Sequence, residues 1–233
     1  MKKLAIISMI LLLGLMASIS SLEATTIGVK YVSSYGESRQ ILNQSGIVTG
    51  QYYFNLDLDN NGSYETLNWA GWCIDPWRTI SGPWKADWFS PSDIMNSNQG
   101  NLFSKHSNAQ ALANYQMIGW MYANRFPTVK TTTNYADFHE ALMMAAWYSG
   151  DWLSFSFPTS GWTDTEGVRA HLNAAIGAGA YSGGIFPYLY TPQSGYINAQ
   201  ELVNPIPEPG TLLLFGLGLV GFGIVTRIRR KIS

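Results

Sequence analysis

From residue 27 to residue 74 the chain is dominated by stretches in which apolar side chains recur with the two-residue period of strands lying half against a core. Segments 27–32, 47–58 and 64–74 are rich in β-branched and aromatic residues, and Asp59-Asn60-Asn61-Gly62 separates the second from the third. That tetrapeptide is a tight-turn signal, so 52–58 is expected to pair with 64–72 as a hairpin. Over 77–101 the pattern lapses, and Ser81-Gly82-Pro83, Ser90-Pro91-Ser92 and Asn98-Gln99-Gly100 read as breakers within one long loop. A connection of that length is expected to be functional or a lid.

The period then changes to that of helices. Segment 109–124 places Leu112, Tyr115, Ile118, Gly119 and Tyr122 on one face and ends before Pro127. Segment 135–148 repeats the spacing with Phe138, Ala141, Leu142, Ala145 and Tyr148, and Asn134 is its expected N-cap. A third helix, 166–176, is expected to start from the box Thr163-x-x-Glu166 and to stop at Gly177. A last strand, 185–190, precedes the Pro-rich boundary at Pro205. Strands first, then about three helices, then a closing strand define an α+β fold with an antiparallel sandwich or barrel part.

The two ends follow different rules. Lys2 and Lys3, the apolar run 4–16 and Leu22-Glu23-Ala24 have the three parts of a secretory signal peptide, 1–24, with cuts after Ser20 or Ser21 also open. At the other end Pro207-Glu208-Pro209 precedes the apolar run 212–225, and Arg227, Arg229, Arg230 and Lys231 follow it as a stop-transfer basic cluster. The run is short and glycine-rich, below the ~20 residues that cross a bilayer comfortably. In this order of parts, the segment 204–233 resembles the PEP-CTERM sorting tail of Gram-negative bacteria. The resemblance implies a C-terminal transmembrane sorting helix that holds the protein at the membrane transiently. It also implies an exosortase-type membrane enzyme as partner, and an address at the cell envelope, outer surface or exopolysaccharide matrix.

Composition narrows the partners of the segment between the ends. From residue 25 to 206 eight basic residues face thirteen acidic ones, a net charge of −5. That balance argues against nucleic acid and against anionic lipid. About 180 residues suffice for one domain with its own core. The single cysteine, Cys73, can form no internal disulfide and is either an inert core residue or a reactive thiol.

Two motifs give Cys73 a context. Trp72-Cys73-Ile74-Asp75 on a strand and Ala141-Leu142-Met143-Met144-Ala145-Ala146-Trp147 on a helix resemble the Cys and Gln motifs of thioester domains on bacterial surface adhesins, over roughly residues 45–203 of a module expected at 25–203. The chemistry implied is displacement of ammonia from a glutamine carboxamide by a thiolate, which stores an acyl electrophile. The glutamine position of the resemblance is Met143, whose thioether offers no carbonyl. Gln116, four residues before Trp120, is the alternative acyl donor for Cys73. The expectation is a thioester-domain-like fold without a working thioester.

Other candidates are weaker. Asp57-x-Asp59-x-Asn61-Gly62-x-x-Glu65 spaces oxygen ligands as the start of a calcium loop does, and equally as a solvated hairpin tip. Trp77, Trp84 and Trp88 near the Cys strand are candidates for stacking on sugar faces, with Trp69 turned inward. His106, His139 and His171 lack metal-ligand spacing, and only Cys73 with His139 forms a conceivable nucleophilic pair. No nucleotide-binding or hydrolase fingerprint occurs. The sequence therefore predicts a non-enzymatic, cofactor-free structural or adhesive protein, with a sugar-binding module and a covalent adhesin through Cys73 as alternatives.

Overall fold

A computed structural model describes residues 25–75, 82–126, 131–163, 165–196 and 199–204. The expected signal peptide, Trp77, the Pro-Glu-Pro motif, the C-terminal apolar run and the basic cluster lie outside the described residues. Six strands form a closed antiparallel barrel: β1 (Thr25–Ile41), β2 (Gln44–Asp57), β3 (Thr66–Cys73), β4 (Pro83–Phe89), β5 (Tyr188–Pro192) and β6 (Leu202–Asn204), arranged β1-β2-β3-β6-β5-β4. Four α-helices are α1 (Pro91–Ser97), α2 (Asn108–Arg125), α3 (Thr132–Trp147) and α4 (Glu166–Gly177). Among the described residues no helix is long and apolar enough to cross a membrane.

The barrel is filled by alternate residues. Ile27 and Val29 face Ala86 and Trp84 across the β1–β4 ladder, and with Phe54, Leu56, Trp69, Leu202 and Cys73 they make one core. The helices make a second, in which Tyr115, Ile118, Phe138 and Leu142 meet Trp72 and Ile74. β3 thus serves both cores, because Trp72 and Cys73 point to opposite sides of one strand.

The expected hairpin forms, with Tyr52, Tyr53 and Phe54 opposite Gly71, Ala70 and Trp69. β1 runs far past its expected end at residue 32, because pairing with β2 continues to Ile41↔Gln44 through residues too polar to signal a strand. Leu42 and Asn43, with φ of 49° and 66°, close that ribbon as a two-residue turn.

The segment 77–101, expected to be one long loop, contains a strand and a helix. Its Trp84-Lys85-Ala86-Asp87-Trp88 alternates as a strand and is β4. Ser90-Pro91-Ser92 starts a helix instead of breaking one: Pro91 opens α1, and Ser90 and Asp93 cap it reciprocally. Two caps also move. Thr131, not Asn134, caps α3, and Thr165, not Thr163, caps α4. The closing strand is shifted to Tyr188–Pro192, and the barrel is completed by the unanticipated three-residue β6.

Where β1 and β2 leave the barrel, Gly36 lies opposite Gly50. A Cβ on Gly36 would meet the Thr49 carbonyl oxygen at 1.8 Å, so only glycine permits this backbone approach. Gly36→Ala is expected to lower stability by about 3 kcal/mol with an unchanged m-value in urea unfolding. A loss within about 0.5 kcal/mol would contradict the close approach.

Candidate functional site

Of the residues singled out by sequence, Cys73 and His139 meet at the junction of β2, β3 and α3. Cys73 is fully buried at the end of β3. Burial first, and Asp75 second, push its thiol well above the ordinary range. A thiol in that environment is held protonated and is a poor nucleophile.

His139 on α3 does not activate it. The Gly50 N–H donates to His139 Nδ1 at 2.9 Å, which leaves the ring proton on Nε2, facing the Cys73 carbonyl oxygen in a short hydrogen bond. Both ring nitrogens are therefore committed to backbone, and the conceivable Cys73–His139 nucleophilic pair is corrected: the contact is with the carbonyl, not the sulfur. The register explains the position. Tyr52 lies opposite Gly71, so two residues further along Gly50 would lie opposite Cys73. The imidazole stands in for that missing rung, accepting from one strand and donating to the other. Trp72 and Tyr52 rings hold it edgewise, with centroids 5.5 Å and 5.7 Å away. Burial lowers its pKa to about 4, against the opposing pull of the Cys73 carbonyl.

The expected glutamine position, Met143, is buried on the same helix, and Gln116 is half-buried on α2. On either side of His139, Asp137 and Glu140 of α3 belong to a buried ionic cluster. Arg39 reaches Asp137 at 2.6 Å, Glu140 at 3.1 Å and Glu37 at 3.1 Å. Glu140 also accepts the Thr163 N–H at 2.7 Å, and Asp137 accepts the Thr165 hydroxyl at 2.8 Å. Burial raises the Glu140 carboxyl to about 7 against the pull of Arg39 and Thr163. Burial penalises the Arg39 cation, but its hydrogen bonds to Asp137 and Glu140 more than offset this and raise its pKa.

A second buried carboxylate ties the closing strands to the helices. Glu201 accepts from the Tyr115 hydroxyl at 2.7 Å, the Asn101 N–H at 2.7 Å and the Thr191 hydroxyl at 2.5 Å. Nothing in the sequence pattern marked Arg39 or Glu201, because the partners that tie them to the helices, Glu140 for Arg39 and Tyr115 and Asn101 for Glu201, lie roughly a hundred residues away.

The remaining candidates separate. His106 bonds the Ala146 carbonyl at 3.0 Å, and His171 lies edge-on to Phe138. Among the described residues, Asp57, Asp59 and Glu65 are the only metal-competent group, with ligand atoms within 4.8 Å of one another. Their oxygens already serve the turn: Asp57 accepts the Asn61 and Gly62 N–H groups at 3.0 and 2.7 Å, and Glu65 accepts the Leu58 N–H at 2.8 Å. Trp69 is inward as expected, but Trp84 is 3% exposed inside the barrel, which removes it as an outward sugar contact. Its neighbours Val29 and Ala86 on the paired strands explain this, since all three share the inward face. Trp88 is half-buried and stacks on Tyr188 with planes 3° apart and centroids 5.9 Å apart.

These features define a closed-barrel α+β domain in which the buried Arg39, Asp137, His139, Glu140 and Glu201 are hydrogen-bonded or ion-paired to other elements. Residues 205–230, directly after β6, match the PEP-CTERM protein-sorting motif. That motif marks an exosortase-sorted protein, exported to an extracellular or cell-surface location in Gram-negative bacteria and processed by an exosortase-type membrane enzyme. No curated protein and no solved structure matches the chain.

The neutral His139 rung predicts a definite acid response. The unfolded ring takes up a proton near pH 6.5 and the folded ring only near 4, so its stabilisation is complete above 6.5 and is lost as pH falls toward 4. Glu140 acts in the opposite sense, losing its contribution as pH rises from 4.5 toward 7. His139→Gln keeps a donor and an acceptor without titrating, and so isolates the first effect. Between pH 6.5 and 4 the parent is expected to lose on the order of 3 kcal/mol relative to that variant. A pH-independent difference in chemical unfolding would contradict the assignment.

Proposed function

We propose that the mature domain is a non-enzymatic structural or adhesive component of an extracellular layer such as a biofilm or exopolysaccharide matrix. The observation that carries this reading is the sorting motif joined directly to a domain whose charged and ionisable core groups hold elements together. Arg39, Asp137, His139, Glu140 and Glu201 all have partners across the fold. Cys73 acts as a small apolar core residue. No cofactor enters this reading, and the hairpin-tip acids act as turn acceptors; calcium there would replace contacts the turn already makes.

Deletion of the protein is expected to weaken cohesion of the surface layer, and Cys73→Ala is expected to restore it as well as the parent does. Intact mass of the mature domain should equal the full sequence mass and stay unchanged by methylamine. A mass lower by one ammonia, restored by the amine, together with failure of Cys73→Ala, would replace the proposal with covalent adhesion through a Cys73 thioester, to Gln116 or another donor.

The Trp88–Tyr188 pair favours a second reading, a carbohydrate-binding surface, since half-exposed aromatic faces stack on sugars. Trp88→Ala should then abolish binding to an extracted exopolysaccharide, whereas equal binding by both forms would remove this reading.

A further inference from the structure

The barrel register places both ends of the domain at one pole. Thr25 lies opposite Trp88, Trp88 opposite Tyr190, and Tyr190 opposite Leu202, so these four residues form one row across β1, β4, β5 and β6. The chain enters β1 at this row. It leaves β6 two residues below, at Asn204, opposite Tyr188. The β2–β3 turn opens toward the same pole, since Asp57 pairs with Gly28 and Thr66 with Leu56.

Asn204 is held firmly. β6 is hydrogen-bonded to β3 on one side and β5 on the other, and the Asn204 amide donates to the Ala70 carbonyl. The sorting match begins at residue 205. Three steps of chain separate Asn204 from Pro207, at most about 11 Å when fully extended. A barrel cannot stand clear of a protein that grips its chain at that distance.

Among the polar residues of the β2–β3 tip, the pole exposes two large apolar side chains. Leu58 is 47% exposed and Leu67 is 64% exposed at the β2–β3 edge, and the half-buried Trp88–Tyr188 stack lies at the same end of the barrel on β4 and β5. Exposed Asp59 and Glu65 flank Leu58, which disfavours an anionic lipid headgroup and favours an apolar surface with basic groups.

We propose that this pole is a docking surface for the membrane-embedded processing enzyme: the enzyme that holds Pro207-Glu208-Pro209 rests on the rim formed by Leu58, Leu67, Trp88 and Tyr188. The proposal rests on the sorting reading and adds a recognition element outside the motif. The folded barrel, and not only the tail, is then part of the substrate.

The test follows processing of the full-length chain in cells containing an active exosortase, read as loss of the C-terminal peptide over time. Leu58→Lys/Leu67→Lys changes exposed side chains only, and its fold is checked by an unchanged melting temperature of the mature domain. Processing is expected to slow about tenfold, equivalent to about 1.4 kcal/mol of lost binding. A flexible Gly-Ser insert of about ten residues between Asn204 and Pro205, reaching roughly 18 Å, should slow the parent in the same way by uncoupling the motif from the pole, and should slow the double variant no further. Val48→Lys, on the ribbon at the opposite end, should be processed like the parent. A parental rate for the double variant, or a parental rate for the otherwise unchanged chain carrying the insert, would overturn the proposal. Co-sedimentation of the purified mature domain with phosphatidylethanolamine–phosphatidylglycerol vesicles, abolished by the same double variant, would assign the rim to lipid instead. Retention of the tail on the parent, or equal processing after Pro207→Ala/Pro209→Ala, would remove the sorting reading and the docking surface with it.

Discussion

A single imidazole stands where the β2–β3 ladder stops. Beyond Tyr52↔Gly71 the two strands part, and parting would leave the Gly50 N–H and the Cys73 carbonyl buried without partners. Each such group costs about 1–3 kcal/mol if left unpaired. Neutral His139 satisfies both, because one ring nitrogen accepts while the other donates. With that rung in place β2 can turn away with β1 as a ribbon over α3, and the other edge of β3 takes β6 at Trp72 and Cys73. Barrel closure and helix docking thus share one contact.

The neighbours of His139 on α3 complete the join. Asp137 and Glu140 point toward the ribbon and hold Arg39, and they also accept from Thr165 and Thr163 in the segment leading into α4. Buried charges of this kind are costly unless fully paired, and their return lies in fixing one arrangement as much as in net stability. Glu201 plays the corresponding part at the far side, fastening β5, α2 and the start of the Asn101–Ser104 turn to the strand that closes the barrel. The domain therefore uses its buried ionisable groups as joints between layers, which is the physical basis for reading it as a structural module.

Much of this fold was legible in the sequence, and the failures have local causes. The 52–58/64–72 hairpin and the three longer helices follow from period and turn chemistry that neighbouring residues carry themselves. The strand extension through Ser33-Ser34-Tyr35-Gly36-Glu37 was hidden because its polar residues become strand by pairing and not by propensity. β4 was hidden by the breakers on either side of it, of which Ser90-Pro91 turned out to be a helix start. At the site, Cys73 and His139 were both noticed, but as chemistry. Their true relation runs through backbone atoms, which side-chain identity does not reveal. Arg39 and Glu201 gave no signal at all, since each is defined by contacts distant in sequence.

Address and architecture meet at residue 204. The sorting motif begins where the closing strand ends, so the fate of the tail and the closure of the barrel are mechanically adjacent. The central physical claim, that a neutral His139 replaces a ladder rung, is tested most directly by long-range ¹H–¹⁵N NMR of the imidazole across pH. The account predicts a bare Nδ1, a protonated Nε2 and a titration midpoint near 4. A protonated Nδ1, or a midpoint near 6.5, would contradict it.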